Sequence, residues 1–412
     1  MKEKIIGIFV CMLLIATAIP AVGTLNNSTS EKNPVDKTLN GGWEKTFRRS
    51  DFDFGDYVLQ TSDGGYLIGA ETMSNAGDLD IWLIKTDASG IEQWNQTYGG
   101  SDDEFPNFIL ETPDGYLVTG LTRSFGIGDY DAWLIKIHKN GTEQWNQTFG
   151  GINYDFAWAI WTATDGGYMM GGGTNTYGSG IFDYWMIKTD ANGTEQWNKT
   201  FGGTDNELFR GMRQTDDGGY ILVGFVFPTD TSEKVYCWIV KTDADGNKAW
   251  DKKIETKHHS AGFGIRQTTD GGYIISGETV AFALIIGPLY FYIGGDMWLV
   301  KVDADGNKVW EKTFGRIILE SCGRCIELTD DGGYIVGGFT KGFGSSIKQV
   351  TAVPIFSKIW VVETDADGNK ERAIESSRGL CWWIGQTNDG GYILTGGTKP
   401  HGECDVFLIK ID

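Results

Sequence analysis

The sequence predicts an all-β fold, a seven-bladed β-propeller with four strands in each blade. Seven copies of a unit of about fifty residues fill the chain between residues 43 and 412. Every copy has a glycine turn followed by Tyr and, further along, an apolar run that begins with Trp or Phe. Such a period is typical of propellers and solenoids, because one unit alone cannot bury its apolar faces.

The third copy shows how a unit divides into strands. Residues 156–162 are apolar and predict strand A, and the turn at 165–167 leads into strand B over 168–174. Strand C contains residues 185–188, and a second turn at 190–193 leads into strand D over 195–201. Gly and Asn at the boundaries argue against long helices, so four strands per unit predict a propeller blade.

Three positions recur in the units. The Asp that begins the glycine turn is Asp63, Asp114, Asp165, Asp217, Asp270, Asp331 or Asp389. The strand C aromatic is Trp82, Trp133, Trp185, Trp238, Trp298, Trp360 or Phe407. Four residues after the turn Tyr stands a small residue, Ala70, Gly120, Gly172, Gly224, Gly277, Gly338 or Gly396. Because a glycine inside a strand indicates a close approach, we expect an aromatic ring to pack on this backbone.

The two ends of the repeat region predict a closed ring. Residues 43–47 form a lone strand D, and residues 405–412 end after strand C. Pairing the two segments completes a seventh blade and removes two exposed sheet edges.

The turns before strand D carry a family resemblance. Residues 303–310, which read DADGNKVW, resemble the tryptophan-docking repeat of quinoprotein-like (PQQ-like) propellers, and residues 243–250 are similar. Together with the glycine turn, the unit resembles secreted repeat β-propeller proteins of archaea and bacteria, over residues 43–412. The resemblance implies the fold but not the catalytic residues. Quinoprotein dehydrogenases usually have eight blades and an adjacent Cys pair. This sequence has seven repeat units and no Cys-Cys dipeptide.

The N-terminal residues predict export. Lys2 and Lys4 precede an apolar run over 5–19, and small residues follow, so we interpret residues 1–23 as a signal peptide. The run is short for a membrane span, which needs about twenty residues. Membrane attachment is therefore expected only through an uncleaved signal segment. Residues 24–42 are polar and predict a linker to the propeller over 43–412.

The formal net charge of −20 argues against nucleic acid as a partner and favours solubility or divalent cations. Asn-x-Ser/Thr sequons fit an exported glycoprotein, although Asn and Thr also suit turns and strand edges. Those in the propeller all fall in blades one to three, at Asn95, Asn140, Asn146, Asn192 and Asn198.

Three acidic turns resemble the opening of a calcium loop. The Glu that such a loop needs at its twelfth position is replaced by Ile254, Phe314 and Ser376, so a simple hairpin turn is the favoured interpretation. No cofactor is predicted, and calcium stays open at Asp243, Asp245, Asp303, Asp305, Asp365 and Asp367. A further Asp recurs two residues before the strand C aromatic, at Asp80, Asp131, Asp183, Asp296 and Asp405, where we expect it to accept backbone N–H bonds.

The cysteines predict a disulfide. Cys322 and Cys325 lie on strand A of blade six and Cys381 lies on strand A of blade seven. Since these inner strands are neighbours, a disulfide among the three is expected in an oxidising exterior. Zinc is less expected, because the second CxxC or His pair that completes most sites is missing. No catalytic residues can be assigned.

The connections between strands B and C differ most between units. In blades one to three they are short and rich in Gly, whereas blades five and six have long apolar connections. Blade four adds Phe225 and Phe227 to the same apolar set. The B–C connections emerge on one face, so they predict an apolar sector that binds a ligand or partner. The alternatives are that the loops shield a neighbouring blade or dip into a membrane surface. The candidate residues are Phe282, Leu289, Tyr290, Phe291, Tyr292, Phe343 and Phe356.

These observations favour an exported, non-catalytic binding or scaffold module, secreted or at the cell surface. The expected partner is a cell-envelope protein or glycan. The alternative is a quinoprotein-like or glycan-processing enzyme with its active site at the propeller channel, and a third possibility is a purely structural envelope component. An enzyme should bring several titratable side chains together in one pocket, whereas a binder should present an apolar or aromatic patch.

Overall fold

The computed structural model describes residues 42–230, 234–286, 289–315, 319–342, 356–375, 379–398 and 404–412. The predicted signal peptide over 1–23 and the linker up to residue 41 lie outside these residues. The described residues form 28 strands in seven four-stranded antiparallel sheets and contain no helix. The predicted fold class, an all-β seven-bladed propeller, is confirmed.

The strands are numbered in chain order. Strands β1 to β14 span Glu44–Phe47, Asp53–Gln60, Tyr66–Met73, Leu79–Thr86, Glu92–Tyr98, Glu104–Thr112, Gly115–Thr122, Asp131–His138, Glu143–Phe149, Asp155–Thr162, Tyr168–Thr174, Asp183–Thr189, Glu195–Phe201 and Asn206–Gln214. Strands β15 to β28 span Tyr220–Phe227, Tyr236–Thr242, Lys248–Ile254, His259–Gln267, Tyr273–Ile286, Leu289–Val302, Lys308–Phe314, Leu319–Leu328, Tyr334–Gly342, Phe356–Thr364, Lys370–Glu375, Leu380–Gln386, Tyr392–Gly397 and Val406–Ile411.

Blades one to six each take four consecutive strands, A to D, from β2–β5 to β22–β25. Strand A lies innermost, because the A strands of neighbouring blades contact one another around the whole ring. Blade seven has the order β1-β28-β27-β26, so its strand D comes from the N-terminal end of the propeller. Glu44 pairs with Ile409 and Phe47 with Val406, which confirms the predicted closure.

The B–C and D–A connections emerge on one face of the ring, which we call the upper face. The A–B and C–D turns lie on the opposite, lower face. In blade three the A–B turn has its positive φ at Gly166 (84°), and every described residue with positive φ is a Gly. The Asp165 carboxylate accepts the backbone N–H of Gly167 at 3.0 Å. The turn is therefore held by an Asp cap and one left-handed Gly, as in three-residue hairpins.

The Lys at the end of strand C is tied to the A–B turn of its own blade. Its ammonium group is buried and lies 2.7 to 3.1 Å from the turn carboxylate. The pairs are Lys85–Asp63, Lys136–Asp114, Lys188–Asp165, Lys241–Asp217, Lys301–Asp270 and Lys410–Asp389. This bond explains why the repeated turn and the repeated Lys occur together in the sequence.

The strand D Trp joins each blade to the next. A side chain on Gly368 of the blade-six C–D turn would come within 2.6 Å of the Trp310 ring, so only Gly lets that ring lie flat on the turn. Trp310 also contacts Tyr334 edgewise, at 6.1 Å between ring centroids. The corresponding pairs are Trp43–Gly90, Trp94–Gly141, Trp145–Gly193, Trp197–Gly246 and Trp250–Gly306. Blade six has Arg372 in place of the Trp. The neighbouring blade seven has no C–D turn on which a Trp could lie, because its strands C and D come from opposite ends of the propeller.

The expectation for the small residue in strand B is confirmed only in part. A side chain at Gly172 would meet the Phe156 carbonyl oxygen at 1.7 Å, and one at Gly277 would meet the Ala261 carbonyl oxygen at 1.9 Å. The closest neighbour is thus the backbone of strand A in the same blade, and an aromatic ring is close as well at Gly396, where a side chain would lie 2.9 Å from the Phe407 ring. The reason is a bulge in strand A, which pushes its carbonyl group toward strand B.

The apolar segment of blade five is a β-hairpin and not a loop. Strands β19 and β20 extend to Ile286 and Leu289, which pair with each other, and Leu284 pairs with Phe291. The segment is rich in β-branched and aromatic residues, which favour paired strands. The predicted loop therefore prolongs strands B and C beyond the body of the blade.

We predict that Trp310→Ala lowers the free energy of unfolding by about 2 to 3 kcal/mol, because it removes a partly buried aromatic contact between two blades. The matched control is Val309→Ala, since Val309 is 60% exposed on the same strand. Denaturant unfolding of both variants measures the difference, and equal losses would contradict the docking role.

Candidate functional site

Every strand A contains one bulged residue that has no pairing partner in strand B. The register skips a residue between Phe209 and Gly211 in blade four, and the other six inner strands skip one at the equivalent place. We call these residues the bulge ring. In blade order they are Asp56, Asn107, Trp158, Arg210, Phe263, Arg324 and Trp382. Bulges re-aim side chains and are common beside binding sites.

Cations and aromatic rings alternate along five blades of the bulge ring. The Arg210 guanidinium carbon lies 4.4 Å from the Trp158 ring centroid and 6.0 Å from that of Phe263. The Arg324 guanidinium carbon lies 4.7 Å from the Phe263 centroid and 4.4 Å from that of Trp382. These distances are those of cation–π contacts. The five side chains therefore form one connected arc around the channel.

A second set of side chains closes the channel below the bulge ring. The Arg213 guanidinium carbon lies 5.2 to 5.6 Å from the ring centroids of Phe108, Trp161 and Trp383. Arg266 donates from Nε to Glu327 Oε2 at 2.7 Å. Burial and the neighbouring Arg266 lower the pKa of Arg213 to about 9. The channel is therefore plugged toward the lower face by an aromatic cage around a cation.

A cavity lies between these two levels. Trp158, Arg210, Phe263, Arg213 and Arg266 are among its lining residues, and its empty volume is about 330 Å³, including the open mouth. Most of this volume is open solvent, so the enclosed space is well below the size of a typical small-molecule site. No carboxylate or His is among the described residues that line it. The lining can thus bind an anion or a flat apolar group, but it offers no carboxylate or imidazole as a general acid or base.

Two carboxyl groups near blade one have raised pKa values. Burial and the neighbouring Glu71 raise the pKa of Asp56 well above its ordinary value. Burial and the charge of Asp103 raise the pKa of Glu71 to about 8. The two residues are only 9% and 8% exposed, so a substrate cannot reach them in this conformation. Neighbouring carboxyl groups with raised pKa values resemble a catalytic acid pair.

The predicted apolar sector is only partly described. Phe343 lies outside the described residues, as do the side chains of Phe282, Leu289, Tyr290, Phe291, Tyr292 and Phe356. Phe225 and Phe227, the residues expected from blade four, are 6% and 4% exposed. Their assignment to an exposed sector is wrong, because Phe225 packs edgewise on Phe227 and on Phe263 beside the bulge ring.

Blades two and three expose apolar side chains that the sequence did not single out. Ile127 and Ile181 of the B–C connections are 68% and 57% exposed, and Ile152 of a D–A connection is 78% exposed. Phe125 stacks at 5.2 Å on Trp133 below it. The short Gly-rich connections are therefore more apolar at the upper face than their composition suggests.

The acidic C–D turns are held by their own carboxylates. Asp243 Oδ1 accepts the backbone N–H groups of Asp245 and Asn247 at 3.0 and 2.8 Å. The side-chain hydrogen bond from Asn247 also lowers the pKa of Asp243. Asp303 and Asp365 make the same bonds. Calcium stays a prediction at these turns and at the remaining candidates, Asp305 and Asp367, and no three His, Cys, Asp or Glu side chains of the described residues are placed to hold a metal ion.

Three of the five sequon residues in the propeller have a role in the blades. The Oδ1 atoms of Asn95, Asn146 and Asn198 accept the indole N–H of the strand C Trp at 3.1 to 3.2 Å. Asn140 and Asn192 instead lie on exposed C–D turns. Glycosylation stays a prediction for all five.

Carboxyl pairs lie between neighbouring blades at the upper face. Asp131 and Asp183 accept backbone N–H bonds from Ile127 and Ser179, both at 2.7 Å, as expected for an Asp before strand C. Burial, with the charge of Asp155, raises the pKa of Asp131 to about 6. Burial, with the charge of Asp183, raises the pKa of Glu207 to about 7. These groups bind protons more tightly in the folded chain than in the unfolded one.

We predict that stability rises as the pH falls from about 7 to about 5, because Asp131 and Glu207 gain protons mainly in the folded state. Below about pH 4 stability falls again. Hydrogen bonds from Lys301 and Thr268 lower the pKa of Asp270 to about 2, so its contribution is present above the unfolded value of 3.8 and lost as the pH falls toward 2. Melting temperatures across this range test both slopes. The double variant Asp131→Asn, Glu207→Gln should flatten the slope between about pH 7 and pH 5. The exposed control Asp102→Asn should leave that slope unchanged.

Two of the predicted disulfide cysteines lie side by side. A hydrogen bond between Cys325 and Cys381, together with burial, raises the pKa of the Cys381 thiol well above its ordinary value. Both are free thiols in the structure, and both are almost fully buried. Cys322 is also buried, two residues before the bulged residue Arg324. The disulfide stays a prediction, and the geometry favours Cys325–Cys381, which would link blades six and seven.

We predict that the exported protein, denatured without reductant, has an intact mass lower by two hydrogens than its reduced form. The variant Cys381→Ser should abolish this difference, whereas Cys237→Ser should leave it unchanged. A full complement of alkylatable thiols in the exported wild type would contradict the bridge.

The bulge ring was missed at the sequence level, although a signal exists. Each bulged residue stands seven positions before the Asp of the A–B turn. The framework positions repeat, whereas this position reads D, N, W, R, F, R and W in the seven units. A position that varies within a regular repeat is where one side of a symmetric ring can differ from another.

No protein-family model and no curated protein match this chain. Among solved structures, the chain is similar to the Pan2 WD40 domain of Neurospora crassa, with a TM-score of 0.52 and 9% identity over 87% of this chain and 89% of that one. It is also similar to a puromycin-hydrolyzing peptidase of Mycobacterium tuberculosis, with a TM-score of 0.52 and 9% identity over 86% of this chain and 50% of that one. The chain therefore spans half the length of that peptidase. At these identities the likeness shows the β-propeller fold alone.

In the described part of the chain, no helix is long and apolar enough to cross a membrane.

Proposed function

We propose that this chain is an exported, non-catalytic β-propeller that serves as a binding or scaffold module at the cell surface or in the extracellular space. The bulge ring carries the proposal. A uniform sevenfold framework holds a position whose side chain differs between blades, and five of these seven side chains form an arc of aromatic rings and guanidinium groups beside a cavity. This is the aromatic patch expected of a binder, in a propeller fold that commonly presents binding surfaces at its rim.

Export is supported by the sequence of residues 1–23 and by the sequons. Membership of the secreted repeat propellers, within the PQQ-like group, is supported by the Trp310–Gly368 type of contact between blades. The proposed partner is a cell-envelope protein or glycan, with no nucleic acid and no cofactor. Contact with a membrane is proposed only through an uncleaved signal segment, and calcium is an option at the acidic turns.

We propose the prolonged hairpin of blade five as a second contact surface on the same upper face. Its backbone projects beyond the blade through the pairing of Ile286 with Leu289. The apolar residues that it carries include Phe291 and Tyr292, and isolated hairpins of this composition gain stability when a partner covers them.

One observation favours the enzymatic alternative. Asp56 and Glu71 are neighbouring carboxyl groups with raised pKa values, as in glycan-processing sites. An enzyme that used them would have to open blade one, since both groups are buried. If the wild type cleaves or modifies a glycan, loss of that activity in Glu71→Gln would support this alternative.

The test uses the full chain, exported and purified, on a glycan array and in envelope extract, with and without a chelator. We expect one component to be retained by the wild type and by the surface control Arg372→Gln. Its retention should fall about tenfold or more in Arg324→Gln or in Phe291→Ser, Tyr292→Ser, since one lost charged contact or a few lost apolar ones cost that much.

Two outcomes would contradict the proposal. Equal retention by all folded variants would remove both surfaces. A chemical change in the retained component, seen by mass spectrometry, would replace the binding function with catalysis.

A further inference from the structure

Carboxyl groups of neighbouring blades face each other across a bare glycine at two places on the upper face. In each place, the Asp before strand C of one blade meets the first acidic residue in strand A of the next. We call them the interblade pairs: Asp131–Asp155 at Gly150, between blades two and three, and Asp183–Glu207 at Gly202, between blades three and four. In the first pair, one oxygen of each carboxyl group lies within 2.9 Å of the point that a glycine Cβ would occupy, and in the second pair within 2.7 Å.

One oxygen in each interblade pair is buried and has no hydrogen-bond donor. Within the described residues, Asp131 Oδ1 and Asp183 Oδ1 make no hydrogen bond, and both residues are only 2% exposed. These are the same two oxygens that face the glycine. The Oδ2 atoms, in contrast, accept backbone N–H groups of the B–C connection. Because a buried polar atom without a partner is costly, the two Oδ1 atoms indicate a missing ligand.

The facing carboxyl group does not supply the missing donor. Asp155 accepts hydrogen bonds from the backbone N–H groups of Gly151 and Thr176 and from the hydroxyl groups of Thr174 and Thr176. It therefore presents an acceptor oxygen to Asp131 Oδ1, which is also an acceptor. Two acceptors this close to one point repel each other unless a positive charge or a proton lies between them.

The closure of the ring shows what fills the equivalent place elsewhere. Arg48 stands at the position of Gly150 and Gly202, directly after the last aromatic residue of strand D. Its Nε lies 3.7 Å from Oδ1 of Asp405, the Asp before strand C of blade seven. Asp53 begins the neighbouring strand A of blade one. Where the glycine is replaced, the chain itself thus brings a cation to the acidic residues.

We propose that each interblade pair binds a divalent cation, with calcium preferred, between its two carboxyl groups. This goes beyond the proposed function, and the place is distinct from the acidic C–D turns on the lower face. Calcium takes about six to eight oxygen ligands, among them carboxylates, backbone carbonyl groups and water. Since no three His, Cys, Asp or Glu side chains of the described residues are placed to hold a metal ion, backbone and water oxygens would complete the set. The bound cations would link blades two, three and four at the upper face.

The test follows the melting temperature of the full chain at pH 8, first in chelator and then with calcium or magnesium chloride at constant ionic strength. At this pH protons compete little with the cation. We expect a saturable rise with calcium, half complete between about 10⁻⁴ and 10⁻³ M, the range of extracellular calcium modules. Magnesium should raise the melting temperature less, because it demands near-ideal octahedral geometry. It also controls for general screening of the net charge of −20.

The variants Asp131→Asn and Asp183→Asn keep an oxygen for the B–C connection and put an amide N–H group in place of the unpartnered oxygen. In chelator each should melt no lower than the wild type, because the amide can donate to the facing carboxylate, and this shows that each variant folds. The double variant should weaken calcium binding about tenfold or more, since a charged ligand is lost from each site. The matched control Asp243→Asn, in an acidic C–D turn, should respond to calcium as the wild type does.

A rise with calcium that the double variant loses and Asp243→Asn keeps supports the inference. The absence of any rise in the wild type, an equal rise with magnesium, or a rise that persists in the double variant overturns it. A rise that only Asp243→Asn loses assigns calcium to the C–D turns and overturns it as well. Because the readout is stability and not retention of an envelope component, the proposed binding function stands or fails separately.

Discussion

The ring depends on one contact between neighbouring blades, the strand D Trp lying on the C–D turn glycine of the next blade. The left-handed glycine gives the flat ring room, and the repeated Tyr of strand B closes one edge of the contact. Repeating this contact fixes the angle from blade to blade, so that seven blades return the chain to its starting point. Closure then requires only that β1 pair with β28, which it does over four residue pairs. The Trp is replaced by Arg372 only where the next blade has no C–D turn to receive it.

A framework held at its outer strands leaves the inner strands free to vary. The Lys–Asp bonds and the docked Trp side chains lie away from the channel, and each strand A carries a bulge whose side chain takes no part in the blade's pairing. Changes at the bulge therefore alter the channel without altering the spacing of the blades. This separation explains how a regular repeat can hold an asymmetric site, with an arc of cations and rings on five blades and the polar residues Asp56 and Asn107 on the other two.

Much of the fold could be predicted from the sequence. The repeat gave the number of blades, the glycine turns gave the strand order, and the unmatched ends gave the closure. In blade three, strands B and D have the predicted bounds, because Gly at each turn marks the ends of a strand unambiguously. The hairpin of blade five was interpreted as a loop, because its length broke the pattern of the shorter connections, although its β-branched residues already favoured strands.

The candidate site was harder to predict. A bulge depends on the register between strands A and B. In a sequence it shows only as a break in the alternation of side chains along a strand, and each strand A is too short for that break to stand out. Phe225 and Phe227 look like an exposed patch in sequence, yet they are buried in a cluster with Ala261 and Phe263 of strand A in blade five. Internal comparison of the seven units shows that the bulge position varies between blades, but the next position of strand A varies as much, so variation alone would make both positions candidates.

The central claim is that docking contacts specify the ring while the bulge positions serve binding. Unfolding free energies of two sets of variants test it most directly: Gly246→Ala and Gly306→Ala at the docking turns, and Arg210→Met and Arg324→Met at the bulge ring. The account predicts losses of about 2 kcal/mol or more for the glycine variants, where a side chain meets the Trp ring in a left-handed turn. It predicts changes within about 1 kcal/mol for the arginine variants, which replace a partly buried charge by an apolar chain of similar volume. Equal losses in the two sets would contradict it.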